Sequence, residues 1–177
     1  MTCLPDIFDL ILDISLKGRN YLALSREIDI RDKFDYPKYS VTAIAIAYSD
    51  RVEVYYVLKL PHSKRTRTLS LDDIDAIDEL LPHISALANR ASELVDHRNT
   101  NDGELFATQG SVTLCKTFRA TNGINITAYV TATKYSRKIK IETPGCELTP
   151  DEFRAIKLAR ALTRTIAAEA REEFRKR

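Results

Sequence analysis

The spacing of apolar residues changes twice along the chain. Residues 4–17 place apolar side chains three and four positions apart, which predicts an N-terminal helix. The runs SVTAIAIAYSD (40–50) and RVEVYYVLKLP (51–61) then alternate with a period of two around a polar turn at Ser49–Asp50. Two β-rich runs joined by a short polar turn are typical of a β-hairpin. Residues up to 35 are predicted to form the N-terminal helix and a connector.

The helical period returns after the hairpin. HSKRTRTLS (62–70) is predicted as a basic loop or short strand that leads into a helix beginning around Ser70. Three aspartates in its opening turns suit the positive end of the helix dipole. Pro82 interrupts the pattern and predicts a kink or a break near Leu81, because proline cannot donate the helical hydrogen bond. The polar segment 97–103 ends this half of the chain.

The second half repeats the order of strands followed by a helix. Residues 104–123 predict one or two strands, 124–134 a cleanly alternating strand, and 137–143 another strand. A single final helix is predicted from LTPDEFRAIKLARALTRTI (148–166) onward. Its Thr149 suits an N-cap and can form a capping box with Glu152, with proline at the first helical position.

The two predicted helices begin alike. Aligning Leu69 with Leu148 pairs serine with threonine at the cap, acidic residues in the first turn, and apolar anchors behind them. One interpretation is that any two capped amphipathic helices look similar. The strands that precede both helices favour a duplication. The sequence therefore predicts an α+β fold of two tandem strands-then-helix repeats, forming a pseudo-twofold pair of antiparallel sheets braced by helices.

At these helix starts, RTLSLDDIDAI (67–77) and CELTPDEFRAIKLA (146–159), the chain resembles the Whirly family. Related groups are the kinetoplastid mitochondrial guide-RNA-binding proteins and the half-sized positive-cofactor-type coactivators. The resemblance covers roughly residues 36–170 as a pattern. It implies single-stranded nucleic-acid binding and a homo-oligomer. The Lys-Gly-Lys-containing strand motif of plant Whirly proteins is absent from this sequence.

The length of 177 residues is sufficient for one domain with a substantial core. We expect an N-terminal helix and connector at 1–35 and a single Whirly-like domain at 36–177. Its repeats are expected at about 36–98 and about 99–177.

Composition narrows the class of protein. The chain is 44% hydrophobic and 29% charged, with a formal charge of +2, as in globular proteins. Its three cysteines lie far apart and show no metal-ligand spacing, which favours a reducing, intracellular compartment and predicts no metal or cofactor. No apolar run is long enough to span a membrane, so no membrane partner is expected.

Catalytic motifs are scarce. The sequence contains no glycine-rich phosphate loop, and its three histidines lie far apart without a neighbouring nucleophile. The acidic cluster at residues 72–79 could bind a cation, but its position at a helix start favours stabilisation of the helix dipole. We therefore expect a protein that is not an enzyme.

Basic and aromatic residues are interleaved on the predicted strands of both halves. Cations neutralise phosphates while rings stack on bases, which is the chemistry of single-stranded DNA or RNA binding. The candidate nucleic-acid-binding residues are Lys38, Tyr39, Tyr55, Lys59, Lys64, Arg65 and Arg67 in the first half, and Lys116, Phe118, Arg119, Tyr129, Lys134, Tyr135, Arg137, Lys138 and Lys140 in the second.

Other interpretations of the same residues remain. Solvent-facing strands often carry Thr, Lys and Tyr because these residues suit a half-exposed pleated surface, and lysines on edge strands oppose aggregation. The chain could instead be a protein-interaction or assembly module that uses sheet edges and the N-terminal helix. A third possibility is a small nuclease that uses the acidic cluster. The pattern does not choose between DNA and RNA.

Overall fold

The computed structural model describes residues 20–101 and 110–176, and for residues 97–101 it describes the backbone alone. The predicted N-terminal helix lies outside these residues. The described part contains two blocks of four strands, each followed by helical structure. This arrangement confirms the predicted α+β class and the order of strands before helix in each repeat.

The first block forms an antiparallel sheet, sheet 1, with the strand order β1-β2-β3-β4. Its strands are β1 (Tyr21–Arg31), β2 (Pro37–Tyr48), β3 (Val52–Lys59) and β4 (Thr66–Ser70). The predicted hairpin is present, and the Tyr48 amide closes its turn by donating to the Arg51 carbonyl at 2.8 Å. Strand β1 was not predicted, because three consecutive polar residues, 25–27, interrupt its alternation.

The second block forms sheet 2 with the same topology, β5-β6-β7-β8, and all pairs antiparallel. Its strands are β5 (Ser111–Arg119), β6 (Asn125–Thr133), β7 (Arg137–Glu142) and β8 (Glu147–Leu148). The shared strand order supports the interpretation of the chain as two copies of one unit. The helices are α1 (Leu71–Asn101), α2 (Pro150–Leu162) and α3 (Ile166–Arg175).

The observed helices differ from the predicted ones in two respects. Helix α1 passes through Pro82 without the break that was one of the two outcomes predicted there, and it extends to Asn101 in the polar segment. Ile77 and Ile84 are buried on either side of the proline, and this burial offsets the ~3 kcal/mol that an interior proline costs. The final helix, by contrast, is divided at residues 163–165. There the Thr163 hydroxyl donates to the Ala159 carbonyl at 2.6 Å, a local bond that competes with helix continuation.

The described chain forms two compact units that exchange helices between the repeats. Unit 1 contains sheet 1 (residues 20–71) together with α2 and α3 (residues 151–176). Unit 2 contains α1 and sheet 2 (residues 72–150). Each sheet is therefore grouped with the helical segment that follows the other sheet.

In unit 1, both faces of sheet 1 bear buried apolar side chains. One face meets the C-terminal helices: α3 contacts β1, β2 and β3, and the buried Tyr56 hydroxyl lies 3.4 Å from that of Thr163. The other face, called the apolar face below, has Ile44, Ile46 and Val57 at its buried centre. Tyr21, Ala23, Tyr48 and Tyr55 pack around that centre.

In unit 2, only one face of sheet 2 carries the core. Small residues of α1 at 88, 91 and 95 pack against Val112 and Val130. Small side chains on the helix allow close approach to the strands, so this core is built on the helix-facing side. The opposite face presents hydroxyl, amide and charged side chains to solvent.

Candidate nucleic-acid interface

The solvent-facing side of sheet 2, called the open face below, is assembled by strand register. Alternation turns every second residue of β5, β6 and β7 away from α1. Pairing then aligns Thr113 with Thr131 and Lys138 in one row, and Cys115 with Tyr129 and Lys140 in the next. The open face consists of Ser111, Thr113, Cys115, Thr117, Arg119, Asn125, Thr127, Tyr129, Thr131, Thr133, Lys138, Lys140, Glu142 and Glu147.

Threonine pairs flank the centre of the open face. The Thr113 and Thr131 hydroxyls lie 3.2 Å apart, and those of Thr117 and Thr127 lie 2.9 Å apart. Each hydroxyl can donate one hydrogen bond and accept others, so the pairs fix each other's position and retain capacity for a ligand. These rows suit phosphate oxygens, sugar hydroxyls or base edges.

Tyr129 occupies the middle of this face with a cation over its ring. The Lys140 Nζ lies 4.7 Å from the ring centroid and 3.5 Å from a carboxylate oxygen of Glu147. The negative charge of Glu142 is the largest cause that raises the pKa of the Tyr129 phenol above its ordinary value, followed by the Cys115 thiol. The ring is therefore neutral at pH 7 and is held among charged neighbours.

The turn between β6 and β7 extends this surface with an exposed ring. Tyr135 is 89% exposed, and the Lys134 Nζ lies 5.7 Å from its ring centroid. The Thr133 hydroxyl holds the turn by accepting from the Ser136 amide at 2.9 Å. Lys134 and Tyr135 thus continue from the strand that carries Tyr129.

Three candidates of the second half lie on the helix-facing side of sheet 2 instead. Arg137 pairs with the inward-facing Ala132, and its Nη1 donates to Oδ1 of Asn89 on α1 at 2.8 Å. Phe118 lies 5.8 Å from the His83 ring, centroid to centroid, and the Lys116 Nζ is 5.2 Å from the Phe118 centroid. These three residues are not part of the open face.

Two basic candidates of the first half pair with the start of α2. The Lys38 Nζ donates to Asp151 Oδ2 at 2.7 Å, and this hydrogen bond is the main cause that raises the lysine pKa and lowers the aspartate pKa. The Arg67 Nε lies 3.0 Å from Oε2 of the buried Glu152. Both cations thus brace α2 against sheet 1.

The two aromatic candidates of the first half are also engaged in unit 1. Tyr39 has the Lys38 Nζ 5.5 Å from its ring centroid. Tyr55 packs on the apolar face, and its hydroxyl donates to Glu53 at 2.9 Å. Burial is the main cause that raises the pKa of the Tyr55 phenol well above its usual value.

The loop between β3 and β4 brings the remaining candidates together. Lys59 and Lys64 line a shallow depression with His62 and Thr66, and Arg65 is exposed in the same loop. The described lining contains no carboxylate. This depression is a second basic surface, and it belongs to unit 1.

Several open-face residues were absent from the predicted site. Thr113, Cys115 and Thr117 belong to the open face because β5 pairs in register with β6. Their alternation with Val112 and Leu114 in the sequence is the signal that could have found them. Glu142 and Glu147 were not among the predicted residues because that prediction considered only basic and aromatic side chains.

Two further features are absent from the described residues. In ranges 20–101 and 110–176, no group of three or more His, Cys, Asp or Glu side chains is placed to hold a metal ion. Across the same ranges, none of the helices combines the length and the apolar character that crossing a membrane requires.

Comparison with known proteins found no relative of this chain. No protein-family model, curated protein or solved structure matches the chain. The resemblance to the Whirly family, and the homo-oligomer that it implies, therefore stay predictions. The open face of sheet 2 and the basic loop of unit 1 are the two surfaces that bear on function.

Proposed function

We propose that this protein binds single-stranded DNA or RNA, without catalysis, on the open face of sheet 2. The observation that carries the proposal is the row structure of that face. Arg119 on β5 and Lys138 and Lys140 on β7 lie on either side of β6, whose Tyr129 ring lies between flanking threonine pairs. The cations neutralise phosphates, and the hydroxyls bond sugars or phosphates.

Stacking supplies the preference for single strands. The Tyr135 ring is almost fully exposed, and Tyr129 is partly exposed on the solvent-facing side of sheet 2. Unpaired bases offer their flat faces to such rings, whereas bases in a duplex are already stacked on each other. Each stacked base contributes on the order of 1–3 kcal/mol.

The test is a fluorescence-anisotropy titration with labelled single-stranded and duplex oligonucleotides of one sequence, at several salt concentrations. We expect tighter binding of the single strand, with affinity that falls as salt rises. Single-strand binding that is absent or insensitive to salt contradicts the proposal.

A triple variant tests the location of the site. Replacing Lys134, Arg119 and Lys138 with alanine removes three exposed cations. If each contacts one phosphate, the slope of log K against log salt becomes shallower by about 2. Circular dichroism checks that the variant is folded.

A matched triple variant in the C-terminal helical segment, 150–175, serves as the control. Lys157, Arg164 and Arg171 are also exposed, and their replacement by alanine changes the net charge equally. We expect the salt slope of this control to stay close to that of the wild type. Equal losses in both variants mean that binding follows total charge rather than the open face.

A further inference from the structure

The open face carries two carboxylates that neutralisation of phosphates does not explain. Glu142 and Glu147 are directly opposite each other on β7 and β8. They are the acidic members of the open face as described, and both lie in the row of Thr127, next to the row of Arg119 and Asn125. On a phosphate-binding surface, negative charge at this position repels the backbone and calls for another role.

The two carboxylates have different partners. Glu147 forms an ion pair with Lys140 at 3.5 Å and is more than half exposed. Glu142 lies diagonally across from Tyr129, one register step from the Tyr129–Lys140 pair, and its charge acts on the phenol. Glu147 is therefore paired with Lys140, whereas Glu142 acts on Tyr129.

We infer that Glu142 determines base preference by accepting a hydrogen bond from the exocyclic amine of a base stacked on Tyr129. This inference depends on the proposed function. An ionised carboxylate only accepts hydrogen bonds. Cytosine, adenine and guanine carry an amine that donates, whereas thymine and uracil present carbonyl oxygens around their one N–H.

The surrounding groups favour a base rather than a phosphate at this position. Lys140 over the ring is already paired with Glu147, so it offers less attraction to a phosphate than the exposed Lys138 does. Because Lys138 lies in the row on the other side of Tyr129, the backbone is drawn away from Glu142, while an amine edge is drawn towards it. Carboxylates accept from cytosine N4 in the same way in other nucleic-acid complexes.

The test compares oligo-dC with oligo-dT of equal length, since both are pyrimidines with equal backbone charge. We expect the wild-type protein to bind oligo-dC more tightly by roughly two- to tenfold, as one net hydrogen bond gives. In the Glu142→Gln variant the side chain can donate as well as accept. We therefore expect both oligonucleotides to bind more tightly, oligo-dT gaining most, so that the ratio falls to about one.

The Glu147→Gln variant is the matched control. It removes the same charge from the same face, opposite Glu142, and should change both affinities by the same factor. A wild-type preference for oligo-dT, or a dC-to-dT ratio that Glu142→Gln leaves unchanged, overturns the inference and leaves the proposed function standing. Binding of neither oligonucleotide overturns both.

Discussion

The two sheets have one topology and one register but opposite surfaces. When the repeats are aligned at Leu69 and Leu148, their strand partners Tyr56 and Ile141 become equivalent. The alanines that pair with these two residues are then equivalent, and so are the residues that follow the alanines, Ile44 and Tyr129. The same alignment makes Ile46 equivalent to Thr131. The centre of sheet 1 is buried and apolar, whereas the equivalent positions of sheet 2 carry side-chain hydroxyls and are partly exposed.

Charges follow the same division. The position equivalent to Lys138 holds Glu53, and the one equivalent to Lys140 holds Tyr55, which donates to that glutamate. The same strand order and register can therefore carry a buried apolar layer or a solvent-facing polar surface, depending on a few residues of that face. The comparison teaches that a duplicated fold does not imply two surfaces of the same chemistry.

Exchanging residues at equivalent positions gives the largest expected effect. Ile46→Thr places a hydroxyl in the buried centre of the apolar face and removes packing volume, so the free energy of unfolding should fall by about 2–4 kcal/mol. Thr131→Ile on the open face should change it by less than about 1 kcal/mol. Urea denaturation measures both. Equal losses would show that the two faces are equally buried.

A smaller effect separates cations that brace from cations that bind. The Arg67→Ala variant removes the guanidinium that pairs with Glu152, whose side chain is 6% exposed. We expect the free energy of unfolding to fall by about 2 kcal/mol. This loss is smaller than for a fully buried pair because the Arg67 side chain is 25% exposed. The salt slope of nucleic-acid binding should stay unchanged. Lys138→Ala should show the reverse: stability within about 0.5 kcal/mol and a shallower slope. A shallower slope in Arg67→Ala would return that arginine to the binding site.

The smallest effect concerns the tyrosines of the two faces. The folded state raises the pKa of Tyr55 mainly by burial and that of Tyr129 mainly through the charge of Glu142. Each contribution to stability is complete below the unfolded pKa of about 10 and is lost as pH rises through the folded pKa. Phenolate titration of Tyr55→Phe and Tyr129→Phe variants resolves them. Added salt should lower the pKa of Tyr129 more than that of Tyr55, and an equal response of both would contradict these causes.

Local pattern was sufficient for much of the fold. Alternation gave the β2–β3 hairpin and β6, and the repeated helix starts indicated the duplication. Alternation missed β1, where residues 25–27 are exposed at the edge of sheet 1. The pattern also could not show that each sheet is grouped with the other repeat's helices, because tertiary pairing leaves no trace in the local period.

The candidate site was less predictable, for a physical reason. Lys38 and Arg67 have the residue type of phosphate ligands, but acidic partners far along the chain engage them. Residue type alone does not reveal such a partner. Tyr129, Lys138 and Lys140, by contrast, share one face through strand alternation and register, and the sequence could indicate that face.

The exchange of helices also sets an order of events during synthesis. Sheet 1 is complete at Ser70, but the helices grouped with it begin only at Pro150. At roughly 5–20 residues per second, the ribosome needs on the order of ten seconds to make what lies between. Throughout that interval one apolar surface of the nascent sheet lacks its native cover. Sheet 1 therefore reaches its native packing only after the C-terminal residues have been made.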